Sequence, residues 1–267
     1  MSVKICSLSE DNVDDALKVC TSDKMRDLLS YRQGLNVRRE WLLQLYRTIG
    51  PCCTIAYFDN VPVGMIQYTP LHHVPYFPTE RKDVLYIHCI FVRRDFRNKG
   101  IGAKLLNALF EEMKKPNPLF ESQLCRVFVT TARERVGFKQ PSYFLLKGFS
   151  KTEDNLDVGL AYWLSEKEPK ERLDIPITGP IQVDEQGVRI FYSPFCQYYA
   201  SARNESIKKC VAQINPHIKV EEINMWTQPE ESIRRRVTSP VIYVNGIPIP
   251  PMDPEQFYET IKTTLQR

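Results

Sequence analysis

Two hydrophobic periods alternate along the chain. In some stretches apolar residues recur every three to four positions, which predicts helices. In others they crowd into short β-branched and aromatic runs, which predicts buried strands. The clearest pairing of the two covers 85–115. Residues 86–92, Tyr-Ile-His-Cys-Ile-Phe-Val, read as a strand. Leu105, Leu106, Leu109, Phe110 and Met113 then share one helical face, with Lys104, Glu111, Glu112 and Lys114 outward. Between them lies Arg97-Asn98-Lys99-Gly100-Ile101-Gly102, so the segment is a strand, a glycine turn and a helix.

The same reading orders the rest. Residues 10–29 read as helical with Val13, Leu17 and Cys20 on one face, and Thr21-Ser22-Asp23 interrupts and caps a second short piece. Residues 31–34 read as a loop. Asn36 caps a helix with the stripe Trp41, Leu42, Leu45, Tyr46 and Ile49, closed by Gly50. Runs at 52–58 and 63–68 flank Asp59-Asn60 as a hairpin. Three prolines keep 69–83 irregular. A strand at 126–131, a short helix at 141–147 before Gly148 and a strand at 160–164 come next. Residues 165–174 are charged, contain proline and lack an apolar face, as a linker does. Beyond it, strands at 188–192, 218–223 and 241–245 alternate with helices at 196–214, 230–236 and 254–265. The expected division is a domain over 1–165, a linker over 166–180 and a domain over 181–267.

Composition changes this picture little. At ~100–200 residues per domain, 267 residues fit one large domain or two ordinary ones. The net charge of +4 is interspersed, which argues against a nucleic-acid surface. No apolar run approaches the ~18 residues of a membrane span. The first residues lack the apolar core of a signal peptide, and the eight cysteines lie mostly within strand or helix patterns. Reduced thiols in a cytoplasmic protein are therefore expected. No cysteine pair has zinc spacing, so no metal is expected.

Two glycines at a helix start let a phosphate approach the backbone, where free N–H groups and the positive helix end hold it. The strand, Arg97, Gly100 and Gly102 resemble the acyl-CoA-binding motif of the GNAT superfamily, Arg/Gln-x-x-Gly-x-Gly/Ala. The element order over 1–165 is similar to that family's. The resemblance implies an α/β fold with a mixed, splayed central sheet and acetyl-CoA as cosubstrate, whose acetyl group passes to the primary amine of a small molecule or amino acid. It implies that Ile90 and Val92 pair with the pantetheine arm, with the Ile90 or Phe91 amide near the thioester oxygen. Arg97, Asn98, Lys99, Gly100, Ile101, Gly102 and Ala103 would hold the pyrophosphate.

Direct attack of an amine needs a base and a proton source for the leaving thiolate. His88 is the candidate base; arylalkylamine N-acetyltransferases are similar in carrying histidine on this strand. Many family members place a tyrosine acid four residues before a Gly-Phe pair. Here the pair is Gly148-Phe149 and the matching residue is Phe144. Tyr143, one position earlier, is the candidate acid if the helix register differs by one. His72, His73 and Tyr76 in the proline-rich loop, and the stretch from Tyr31 to Asn36, are candidates to border the acceptor.

The βαβαβα order after the linker resembles thioredoxin-like domains, glutaredoxin most closely. Phe191-Tyr192-Ser193-Pro194-Phe195-Cys196-Gln197-Tyr198-Tyr199 is similar to the segment bearing Cys-Pro-Tyr-Cys. Thr238-Ser239-Pro240 is similar to Thr-Val-Pro, whose proline is cis. Tyr199 stands at the second cysteine and Gln197 at the proline. In that register Cys196 is a helix-start thiol without a resolving partner; a shifted register makes it the buried second position. A binding or structural module is expected over a redox one. The domain order is similar to that of YoaP-type acetyltransferases. The rival readings are a monothiol redox or thiol-binding protein whose first domain senses acetyl-CoA, and a non-catalytic interaction protein.

Overall fold

The computed structural model describes residues 2–21, 25–121, 123–131, 134–135, 138–151, 159–163, 180–249 and 254–265. The chain divides into two compact units. The first comprises Met1–Arg26, Arg39–Val74 and Thr79–Ile175; the second comprises Asp27–Arg38, Pro75–Pro78 and Pro176–Arg267. The second unit thus takes in two pieces of N-terminal sequence that no pattern separates from their surroundings. Of the linker expected at 166–180, all but Pro180 lies outside the described residues, as do Ser22 and Asp23 of the expected cap.

The elements through residue 163 are β1 (Val3–Ser7), α1 (Val13–Cys20), α2 (Leu29–Ile49), β2 (Cys53–Phe58), β3 (Val61–Pro70), β4 (Val84–Val92), α3 (Ile101–Met113), β5 (Val127–Thr131), β6 (Glu134–Arg135), β7 (Phe138–Lys139), α4 (Gln140–Leu145), β8 (Ser150–Lys151) and β9 (Gly159–Trp163). The first unit's main sheet runs β1-β2-β3-β4-β5-β9-β8. Only the β4–β5 pairing is parallel, so the sheet is mixed. The β2–β3 hairpin turns on Asp59 and Asn60, at φ 46° and 65°. Leu105, Leu106, Leu109 and Met113 of α3 pack with Ile66, Leu85, Ile87 and Phe128. Each such side chain contributes ~1.5–3 kcal/mol on full burial.

Helix α2 corrects the reading of 31–36. No loop breaks it there, and Asn36 is an exposed interior residue, not a cap. Tyr31, Gly34, Arg38, Trp41, Leu42 and Leu45 are all buried, at unbroken helical spacing. The period was hidden because glycine and arginine hold two inward positions. At the other end of the first unit, β3 continues through Pro70 before the proline-rich stretch becomes irregular.

The second unit's later elements are β10 (Val188–Tyr192), α5 (Arg203–Ile214), β11 (Val220–Asn224), α6 (Pro229–Arg234), β12 (Ile242–Val244), β13 (Ile247–Ile249) and α7 (Pro254–Leu265). Its sheet runs β11-β10-β12-β13, with β10–β11 parallel and the other pairs antiparallel. Val188, Ile190, Ile242 and Val244 form a core with Ile207, Val211 and Ile261. β13 was not legible because Pro248 sits inside it; an outer strand tolerates the missing donor. The helix expected from Cys196 begins instead with a π-turn over Tyr198–Ala202. No described peptide bond is cis, so Ser239–Pro240 is trans, against the glutaredoxin pattern. Trans is the ordinary state of an X–Pro bond, and the cis expectation rested on resemblance alone. The fully buried Arg235 pairs with Glu185 and Glu231 and lies over the Phe191 ring.

Candidate functional site

The chemistry-bearing turn of the first unit is made by two left-handed residues, Asn98 at φ 60° and Gly100 at φ 72°. Gly100 is the N-cap of α3. A helix start leaves its first N–H groups without intrahelical acceptors, and Ile101, Gly102 and Ala103 line the cleft beside this start. Arg97 Nε donates to the Val92 carbonyl at 3.1 Å, folding the turn back on its strand.

The cleft exists because two parallel strands part. The β4–β5 ladder covers only Val84–Tyr86 against Val127–Val129. Just beyond, the Thr130 hydroxyl donates to the Ile87 carbonyl at 2.9 Å, and the Tyr86 and Thr131 hydroxyls meet at 2.6 Å. On the other side, the β3 register steps from Tyr68–Ile87 to Gln67–Cys89, which makes His88 the extra residue of a β-bulge. Such a bulge bends its strand and re-aims the residues beyond it. The resulting cleft of about 480 Å³ is lined by Ile90, Val92, Phe96, Arg97, Asn98, Gly100, Ile101, Gly102, Ala103, Gln140, Tyr143, Leu146 and Lys147. Among the described residues, Arg97 and Lys147 are its charged ones, and no acidic side chain lines it.

Most expected cosubstrate residues therefore meet in one place. Phe91 and Lys99 do not line the cleft. Phe91 alternates away from Ile90 and Val92 on the strand, and the Arg97 guanidinium sits 5.8 Å from its ring centre. Lys99 lies over the Phe58 and Phe96 rings. Phe96, Gln140, Leu146 and Lys147 were missed. The last three lie on or just after α4, whose place beside the strand gap depends on long-range packing.

Tyr143 points into the cleft. Its buried hydroxyl has no hydrogen-bond partner among the described residues, and burial pushes its pKa up to about 12. A Cβ added at Gly102 would stand 3.2 Å from that hydroxyl oxygen. Gln140, one helical turn earlier, donates to the Ile90 carbonyl at 3.4 Å. Phe144 is buried in the core instead.

His88 does not line the cleft. It is 9% exposed, its Nε2 is 3.0 Å from the Thr69 hydroxyl, and its ring meets Trp41 and Tyr86 edge-on. Burial lowers its pKa to about 3. So weak a proton acceptor fits the expected general-base role poorly, because a base works best with a pKa near the working pH.

The remaining candidates lie elsewhere. The His72 and His73 rings lie 4.2 Å apart, tilted by 40°, in the turn after β3, and burial lowers both pKa values. Tyr31, Cys196 and Pro240 belong to the second unit. There Gln197 Nε2 donates to the Tyr31 hydroxyl at 3.2 Å, while its Oε1 accepts from Arg38 Nη1 at 2.6 Å. None of the eight cysteines is in a disulfide. Among the described residues there is no cluster able to hold a metal and no helix long and apolar enough to cross a membrane.

No curated protein matches the chain. Solved structures similar to part of it include the PaiA N-acetyltransferase of Thermoplasma acidophilum in complex with coenzyme A, at 16% identity and TM-score 0.42, covering 61% of this chain and 99% of that one. A GNAT family acetyltransferase of Brucella melitensis in complex with acetyl-CoA is similar at 14% identity and TM-score 0.42, covering 63% and 92%. An N-acetyltransferase of Staphylococcus aureus is similar at 14% identity and TM-score 0.44, covering 62% and 100%. Residues 20–131 match the model of the acetyltransferase (GNAT) family. That match includes the stretch that builds the glycine turn and the parting strands.

Proposed function

We propose that the chain is an acetyl-CoA-dependent N-acetyltransferase that acts on the primary amine of a small molecule or amino acid. One observation carries the reading: the open start of α3 faces a cleft that, among the described residues, has two cationic side chains and no acidic one. The cosubstrate fits the groups present there. Among the described residues, Gly100 has nothing within 4 Å of where a Cβ would stand, and the buried Tyr143 hydroxyl has no hydrogen-bond partner.

When bound, acetyl-CoA supplies the thioester carbonyl that the amine attacks. The first-turn amides of α3, with Arg97 and Lys147, bind the diphosphate. The edge of β4 at Ile90 and Val92, released from β5, offers backbone groups to the pantetheine amides. Tyr143 keeps its proton at neutral pH and can deliver it to the leaving sulfur. His88 keeps the bulge in place through Thr69, Trp41 and Tyr86 and serves as a positioning residue. No side chain is assigned the base.

For the second unit we propose a thioredoxin-like fold, as in YoaP-type chains, acting as a binding module. The sheet order, with one parallel pair followed by two antiparallel ones, supports this. Tyr199 in place of a resolving cysteine argues against disulfide turnover. The activity is tested by screening amines and amino acids for acetyl-CoA-dependent release of free CoA, together with calorimetric titration of CoA. Binding without any accepted amine would favour a sensor; no binding would remove the proposal.

A further inference from the structure

We infer that the helix-start face at Gln197–Ser201 of the second unit is a docking surface whose occupant is built into the chain, the segment Asp27–Arg38. The inference rests on, and deepens, the reading of this unit as a binding module. A thiol oxidoreductase must leave the surface beside its helix-start cysteine open, because a partner's sulfur has to reach that thiol in line. Here the residue after Cys196 is instead packed against the chain's own helix.

Three contacts define the seat, and they lie on one face of α2 at helical spacing: Tyr31, Gly34 and Arg38. At Gly34 backbone meets backbone. A Cβ there would stand 2.1 Å from the Gln197 carbonyl oxygen and 3.2 Å from Ser201 Cβ. Only glycine permits that approach. The Gln197 carboxamide is 2% exposed and uses both ends, its nitrogen toward Tyr31 and its oxygen toward Arg38, a residue 159 positions away in sequence. Arg38 is 0% exposed. Burying a guanidinium costs several kcal/mol unless its surroundings compensate, so this is not an incidental contact. A second piece joins the same unit, where the Tyr76 ring meets Trp226 edge-on at 6.0 Å. The surface selects a helix carrying tyrosine, glycine and arginine at three- and four-residue steps, and the chain supplies that helix itself.

The test is site-resolved alkylation of the full-length protein with iodoacetamide. The Cys196 thiolate forms a carbon–sulfur bond, iodide leaves and the thiol proton passes to buffer. Gly34→Leu forces the segment off Gln197. Cys196 should then alkylate about 10-fold faster or more, and the amides of 198–202 should exchange faster, as local opening allows. CoA titration into the cleft should be unchanged, which separates this result from any failure of the acetyltransferase reading. If Gly34→Leu does not fold, Gln197→Ala carries the test, since it removes both hydrogen bonds without adding bulk. Wild-type rates of alkylation and exchange at this site in the folded variants would overturn the inference. So would catalytic reduction of a peptide disulfide by the wild-type protein with glutathione as donor.

Discussion

Two helix starts in this chain use glycine to opposite ends. At α3, the space beside Gly100 is open among the described residues and Gly102 leaves room for the Tyr143 hydroxyl, so the helix start faces a cleft. At the π-turn that leads into α5, Gly34 lets its own backbone lie against the Gln197 carbonyl and the Ser201 side chain, on the flank of the first turn. Both ends carry the same partial positive charge. The difference lies in what the surrounding chain places in front of them. A helix start is therefore a site only where the fold declines to cover it.

The largest test of that contrast is to fill the open start. Gly102→Glu sets a side chain against the Tyr143 hydroxyl and a negative charge where the proposed site would hold phosphates. CoA affinity should fall at least ~100-fold, about 2.7 kcal/mol, while Cys196 alkylation stays at the wild-type rate. Equal calorimetric affinities would end the α3 assignment. Next comes Tyr143→Phe. If its hydroxyl is the acid, kcat should fall ~10²-fold with CoA affinity unchanged, and stability should hold, because the variant removes a buried hydroxyl that has no partner among the described residues. An unchanged kcat would return Tyr143 to simple packing.

The smallest effect separates the two units by acid. His88 is held neutral, its pKa about 3 against an ordinary 6.5. Below 6.5 the unfolded chain takes a proton that the folded one refuses, so this contribution is full above 6.5 and lost as pH falls toward 3. In the second unit, burial alone would raise the Glu185 pKa, but hydrogen bonds from Arg235 and Arg234 hold it below 4.5. The Arg235 hydrogen bond likewise lowers that of Glu231. Their contribution is present above 4.5 and lost as pH falls through the lowered values. Between pH 6.5 and 4.5, amide protection, corrected for the intrinsic exchange rate at each pH, should fall in β4 before it does in α6. The reverse order would mean that other groups govern acid opening.

Much of this was legible in the sequence because local chemistry decided it. The Asp59-Asn60 turn, the α3 stripe and the glycine turn are each specified within a few residues. The hidden parts depended on distant partners. Residues 31–34 read as a loop before a helix capped by Asn36, because the inward environment of Gly34 and Arg38 is Gln197, far along the chain. Gln140 and Lys147 carry no motif; their place in the cleft comes from where α4 packs. His88 lies on the strand expected of it, yet a one-residue register shift and a shell of Trp41, Tyr86 and Thr69 decide its protonation, and neither is visible in spacing.

That register shift also has a meaning in chain length. In β4 the inward positions are Leu85, Ile87 and Ile90, a step of two and then a step of three. Without His88 the same residues would alternate strictly, as any flat strand's do. In chain length, a strictly alternating β4 and the bulged one differ by a single residue, His88.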